Sequence, residues 1–170
     1  MRRPNLEGLS ALPKLQRNFE LRPMTAGDAG KVADLLRLSF EDESWTLERA
    51  QSEFVTHPDV VTTWVIQHGE KIISTATSLM APQTHPGSGC VHWVGTDPAH
   101  RGQGMGYLVS LAVLHDFIRL QCRDAILFTD DERLPAIKTY LNLGFVPEYQ
   151  DDSHPQRWEA VMQKLQTRKK

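Results

Sequence analysis

Val94-Gly95-Thr96-Asp97-Pro98-Ala99-His100-Arg101-Gly102-Gln103-Gly104-Met105-Gly106 is the stretch on which the reading of this chain turns. A strand-like segment, Val91 to Thr96, stops at Asp97-Pro98; glycines follow at 102, 104 and 106, and an amphipathic pattern begins. The segment reads as strand, tight turn and helix start. Glycine lets a backbone take positive φ and approach a ligand closely. The N–H groups of a first helical turn have no intrahelical partner and, with the helix dipole, attract anions. The physics therefore points to a phosphate or pyrophosphate.

Two common phosphate loops fail the test of spacing. A nucleoside-triphosphatase loop needs Lys-Ser/Thr after its last glycine, where this chain has Tyr107-Leu108. A GxGxxG dinucleotide fingerprint would need a third glycine at Tyr107.

Working outward, the helix after the loop carries Met105, Leu108, Val109, Leu111, Ala112, Leu114 and Ile118 on a broad apolar face. Asp124 to Thr129 reads as a buried strand, making a strand–helix–strand unit that should be parallel. Pro135 then opens a helix with Ile137, Tyr140 and Leu141 on one face, and Gly144 stops it. Phe145 to Tyr149 and Trp158 to Leu165 are expected as two final strands, with a polar loop from Gln150 to Gln156 between them.

On the N-terminal side, Asn18 to Arg22 reads as an edge strand. Thr25-Ala26-Gly27-Asp28 fits a helix-capping pattern ahead of Val32, Leu35, Leu36 and Phe40. Leu47, Ala50 and Phe54 suggest a second helix, ended by His57-Pro58. Val60 to Gln67 and Ile72 to Met80 flank a His68-Gly69-Glu70 turn as a hairpin. Pro82 to Gly89 is a loop. The expected fold class is α+β: a mixed, mostly antiparallel sheet with a central parallel strand pair flanked by helices. Residues 1–16 are expected to be an N-terminal extension and 17–170 a single domain.

With 170 residues, 40% hydrophobic and 24% charged, the chain has the composition of one globular domain. A formal net charge of −2 gives no broad nucleic-acid footprint. Arg2-Arg3 and Arg168-Lys169-Lys170 read as solvated terminal runs. No apolar run approaches the roughly 20 residues of a membrane span, and no secretory segment follows the first residues. Cys90 and Cys122 give no disulfide framework, so a cytoplasmic setting is expected. The seven histidines lack metal-ligand spacing, and no metal is expected.

Arg101-x-x-Gly104-x-Gly106 after a strand, with Val94-x-x-Asp97-Pro98-x-x-Arg101-Gly102 leading into it, resembles the GNAT superfamily of N-acetyltransferases. A second block, Ala136-x-x-x-Tyr140-x-x-x-Gly144-Phe145, is similar to a helix and strand start of that family at the expected distance. The resemblance is strong over 89–149 and compatible in element order over about 17–165. It implies acetyl transfer from acetyl-CoA to an amine of a small molecule or peptide, with the coenzyme between two splayed parallel strands. Backbone groups at Val94 and Thr96 would pair with the pantetheine amides, and an N–H near Val94 or Gly95 would stabilise the oxyanion. Arg101, Gly102, Gln103, Gly104, Met105 and Gly106 would hold the pyrophosphate through main-chain N–H groups. The family often has Asn where this chain has Arg133, a departure that touches one pantetheine contact.

Tyr140 matches the family tyrosine that can protonate the departing thiolate. The general base is assigned to His92, because strand alternation puts Cys90, His92 and Val94 on one face and His is tuned near neutrality. Packing alone also accounts for a tyrosine or a sheet histidine at these positions. Glu41, Asp42 and Glu43 are candidates for an acidic acceptor mouth, and Trp45, Trp64 and Trp93 for its walls. A non-catalytic acyl-CoA sensor and transfer of a longer acyl group remain as alternatives. Oligomeric state stays open, with a homodimer as one option.

Overall fold

The computed structural model describes residues 1–16, 18–80 and 83–167. The proposed boundary at 17, Pro82 at the head of its loop, and the Arg168-Lys169-Lys170 run lie outside the described residues.

Apolar alternation and a Gly69 turn with φ of 57° build the hairpin β3 (Val60–His68) and β4 (Lys71–Met80), His68 pairing with Lys71. β2 (Phe19–Pro23) pairs with the outer side of β3. β5 (Ser88–Thr96) runs antiparallel to β4, and β6 (Asp124–Ile126) runs parallel to β5. A two-residue strand, β1 (Arg2–Arg3), pairs antiparallel with β6. The sheet order is β1-β6-β5-β4-β3-β2, so one parallel pair sits in an otherwise antiparallel sheet. This is the α+β class read from the sequence.

Helices cover both faces. On one, α3 (Met105–Arg119) buries Val109, Leu111, Leu114 and Phe117 against Ile66, Ile73, Ala76 and Val91. On the other, α1 (Ala29–Phe40) and α2 (Leu47–Ala50) bury Val32, Leu35, Leu36 and Ala50 with Trp45, Val65 and Ile72. At the start of the first of these, the Asp28 carboxylate accepts from the Thr25 N–H and hydroxyl, both at 2.8 Å, and pairs with Arg22. Of the residues that suggested the second helix, Ala50 and Phe54 are buried and Leu47 is exposed, with a π-helical turn over Gln51–Val55. α4 (Leu134–Asn142) ends at Gly144, whose φ is 84°.

Four expectations are corrected. Phe145 to Tyr149 forms no strand; Val146 makes an isolated antiparallel bridge to Arg2. Trp158 to Leu165 lies inside α5 (His154–Thr167). Trp158, Val161 and Leu165 recur at three and four residues, which is a helical period, and they pack on Leu134, Ile137 and Leu141 of α4. Arg157 clamps that helix to Asp131 through two bonds of 2.8 and 2.9 Å. The strand expected over Asp124 to Thr129 stops at Ile126. Finally, Arg2-Arg3 is no solvated run. Arg2 pairs with Asp124 and Glu148 at 2.8 Å each, while Arg3 donates to the Leu143 carbonyl. Leu6, Leu9 and Leu15 continue from there along the α3 core.

α3 crosses so close to β5 that a Cβ on Gly89 would fall inside the van der Waals radius of the Phe117 ring. Gly89→Ala is therefore expected to destabilise the fold by about 1–3 kcal/mol, a typical overpacking cost. It should appear as a lower urea midpoint at unchanged slope; an unchanged midpoint would mean that Phe117 turns aside freely.

Candidate active site

β5 does not stay regular to its end. Thr77 pairs with His92 and Thr75 with Gly95, so Trp93 and Val94 together face Ala76 in a bulge. Trp93 takes φ of 45°, an uncommon value for a bulky residue that surrounding contacts must enforce. Its ring stands edge-on to Trp45, with centroids 4.6 Å apart, and 6.1 Å from Phe40. Its indole N–H donates to Glu53 Oε2 at 3.1 Å. The extra residue changes which side chains share a face. Val91 and Val94 both belong to the α3 side, whereas Trp93 packs into the α1 side. Uninterrupted alternation of Cys90, His92 and Val94 is thus broken, and the His92 ring lies 4.5 Å from the Trp93 ring.

The parallel pair is short. Ser88–Asp124, Gly89–Ala125 and Cys90–Ile126 are matched, and beyond them β5 runs on while β6 has ended. Arg133, at the cap of α4, reaches across this opening. Its guanidinium donates to the Val94 carbonyl at 3.2 Å and lies 4.8 Å over the Phe40 ring. The acceptor expected to meet a pantetheine amide is thus held by an arginine.

At the end of β5 the chain makes the glycine turn. The Asp97 carboxylate accepts from the Ala99 N–H at 2.8 Å, and a 3-10 turn over Pro98–His100 follows. Gly102 and Gly104 both have φ of 78°, and a Cβ on either would meet open space. Among the described residues, the N–H groups from Gly102 to Tyr107 donate to no protein acceptor; the first bond of the helix is Leu108 N–H to Gly104 carbonyl, 3.1 Å. The result is a row of bare amides at a helix N-terminus, next to the opening between β5 and β6.

The other side chains sort themselves by contact. Arg101 donates to the Ser39 carbonyl, tying the turn to the end of α1. Thr96 bonds Ser74 at 2.9 Å, Met105 is buried in the core, and Gln103 is exposed. Tyr140 is 3% exposed, and burial pushes its hydroxyl up to about 12, with the Arg133 charge acting in the opposite direction. Burial also holds the His92 imidazole below its ordinary 6.5, partly offset by the Glu53 charge. Asp42 is engaged by Arg49 and Glu43 by Arg37, while Glu41 closes α1 with φ of 55°. Trp45 is buried, and Trp64 donates to Asp116 of α3; Trp93 lies on β5 beyond its last residue matched to β6 and packs toward α1. Two residues escaped the sequence reading. Glu53 lies on the π turn, and the Ser39 hydroxyl is buried without a partner among the described residues, beside Gly95.

The family model of the acetyltransferase (GNAT) family matches residues 30–145. The chain belongs to that family. It is 36% identical over 149 residues to a mycothiol acetyltransferase of Pseudarthrobacter chlorophenolicus, covering 80% of this chain and 44% of that protein. The chain spans about half the length, or less, of the curated relatives it matches. Among solved structures, glucosamine-6-phosphate N-acetyltransferase from Arabidopsis thaliana superposes with a TM-score of 0.62 at 19% identity, over 78% of this chain and 95% of that one. The aminoglycoside N-acetyltransferase AAC(6')-Iy in complex with CoA does so with 0.64 at 16%, over 79% and 95%. At these identities the likeness is one of fold.

A histidine held below its ordinary value stays neutral when the unfolded chain has already taken up the proton. Its contribution to stability is therefore intact above the unfolded value of 6.5 and is lost as the pH falls toward the folded value. The His92 ring should titrate below 6.5 by NMR. His92→Gln should lose less stability than the unmodified chain as the pH falls below 6.5. A midpoint at or above 6.5 would mean that the ring is solvated.

Proposed function

We propose that the chain is an acetyl-CoA-dependent N-acetyltransferase acting on an amine of a small molecule or peptide. The observation that carries this reading is the row of unbonded N–H groups from Gly102 to Tyr107, beside a strand pair that parts after Cys90 and Ile126. The names of the relatives agree with it. Open space at Gly102 and Gly104 leaves room for a diphosphate to approach those amides, so the residues fit the group. Bound there, acetyl-CoA supplies an activated acetyl thioester.

The chain's own residues would act as follows. Arg101, Gly102, Gln103, Gly104, Met105 and Gly106 hold the diphosphate by main-chain donors, with the Arg101 side chain bracing the turn against Ser39. The Val94 carbonyl accepts a pantetheine amide once Arg133 gives up its bond. Val94, Gly95 and Thr96 extend along the opening as the edge against which that arm lies. His92, neutral at physiological pH, takes the proton that frees the amine for attack. Tyr140 remains a phenol and donates a hydrogen bond to the departing sulfur. The final proton reaches the sulfur from solvent. Cys90 and Cys122 are both free, in keeping with a cytoplasmic setting.

A panel of amines, amino acids, aminoglycosides and peptides, scored by release of coenzyme A thiol, tests the activity. Acetyl-CoA that binds without thiol release for any of them would make the chain a binder. Gly104→Glu places bulk and negative charge on the row of amides and should abolish acetyl-CoA binding by calorimetry; retained affinity would remove the loop from the site. Tyr140→Phe should lower turnover by about ten- to a hundred-fold, the range for one lost donor at a developing charge. Coenzyme affinity should change little.

A further inference from the structure

Two uncommon backbone features lie on the side of β5 toward α1 and α2. A π-helical turn, Gln51–Val55, interrupts the end of α2, and π turns are rare and recur at functional sites. Trp93, opposite it, holds a positive φ that only surrounding contacts can enforce. The two features meet in one hydrogen bond, Trp93 Nε1 to Glu53 Oε2 at 3.1 Å.

Glu53 is half-buried there. One carboxylate oxygen is fixed by the indole; among the described residues the other has no donor. Arg49, one turn earlier, makes no bond to Glu53 among the described residues: it pairs with Asp42, donates to Ser44 and lies 4.0 Å from the Trp45 ring centroid and 5.6 Å from that of Trp93. The three acids that follow α1 are less suited to the part. Asp42 and Glu43 are already paired, and Glu41 caps the helix. The Trp93 indole connects Glu53 to the His92 ring, 4.5 Å away, and the next residue along β5 is Val94. A carboxylate with one oxygen anchored and one free, walled by an indole and adjoining an imidazole, is a recognition site for an ammonium group.

We propose that Glu53 anchors the cationic form of the acceptor amine and thereby selects alkylammonium acceptors over neutral amines. This rests on the acetyltransferase reading and deepens it. The ammonium docks on Glu53 and gives one proton to His92. The freed nitrogen lone pair forms the bond to the acetyl carbon as the carbon–sulfur bond breaks, its electron pair leaving on sulfur. The acylated nitrogen gives up its second proton to solvent, the sulfur takes one from solvent, and His92 returns its own proton to solvent. Glu53 is a specificity-determining residue and is not itself acylated or oxidised.

Glu53→Gln is the informative variant, because the amide oxygen still accepts the Trp93 indole while the charge is gone. Wild type and variant are compared with the fastest alkyl amine and the fastest aromatic amine of the panel, the first cationic and the second neutral at the assay pH. The ratio of KM for the cationic amine to KM for the neutral one should rise about ten-fold or more, the equivalent of one charge-assisted contact. Glu53→Asp should restore part of it. An unchanged ratio, including an equal loss for both amines, overturns the proposal, since a merely structural role would affect both alike. If the wild type binds acetyl-CoA but releases no thiol with any amine, the acetyltransferase reading has failed, and this proposal with it. That outcome is distinct from active enzyme with an unchanged ratio.

Discussion

Ser88, Gly89 and Cys90 of β5 are matched to Asp124, Ala125 and Ile126 of β6, and there the parallel ladder ends. The site depends on that stop. Because β6 goes no further, the far half of β5 faces an opening instead of a neighbour, and its Val94 carbonyl is within reach of a side chain from α4. Because β5 does go further, it delivers the chain to the glycine turn at the same end of the sheet, so that bare amides and an open strand edge lie side by side. Crevices at the carboxyl ends of strands are where open α/β sheets bind ligands, for the same geometric reason.

The bulge adds a second constraint to the same strand. By placing Trp93 and Val94 opposite a single residue, it sends one into each core. The aromatic group of Phe40, Trp45, Phe54 and Trp93 then holds the strained φ in place, with rings at 4.6 to 6.1 Å. Packing energy distributed over four rings is thereby concentrated on the position of one indole and one carboxylate.

Much of this was legible from residues alone, and the failures have physical reasons. The glycine turn, the long apolar helix behind it and the hairpin are written in local signals: positive φ, a helical period and strand alternation. The segment from Trp158 to Leu165 reads as strand from its apolar content alone, whereas the spacing of Trp158, Val161 and Leu165 is that of one helix face. Arg2 was misread because its partners, Asp124 and Glu148, lie more than a hundred residues away, beyond any local pattern. The bulge was invisible for another reason: alternation is a rule about regular strands, and the sequence around Trp93 carries no glycine at the residue with positive φ to mark the interruption. Glu53 was missed with it, since the carboxylate matters only once Trp93 has been turned toward it.

The brevity of β1 has a consequence for how the molecule behaves in company. A sheet border with open N–H and C=O groups is a template for strand addition by another copy. Here one border is a two-residue strand whose outer side is engaged by Val146 and whose arginines are tied down. The opposite border, β2, carries Glu20 and Arg22 and finishes at Pro23, which has no amide hydrogen to offer. Neither rim invites stacking into a fibril, so the fold can keep an open crevice in its middle without exposing a long sticky margin at its sides.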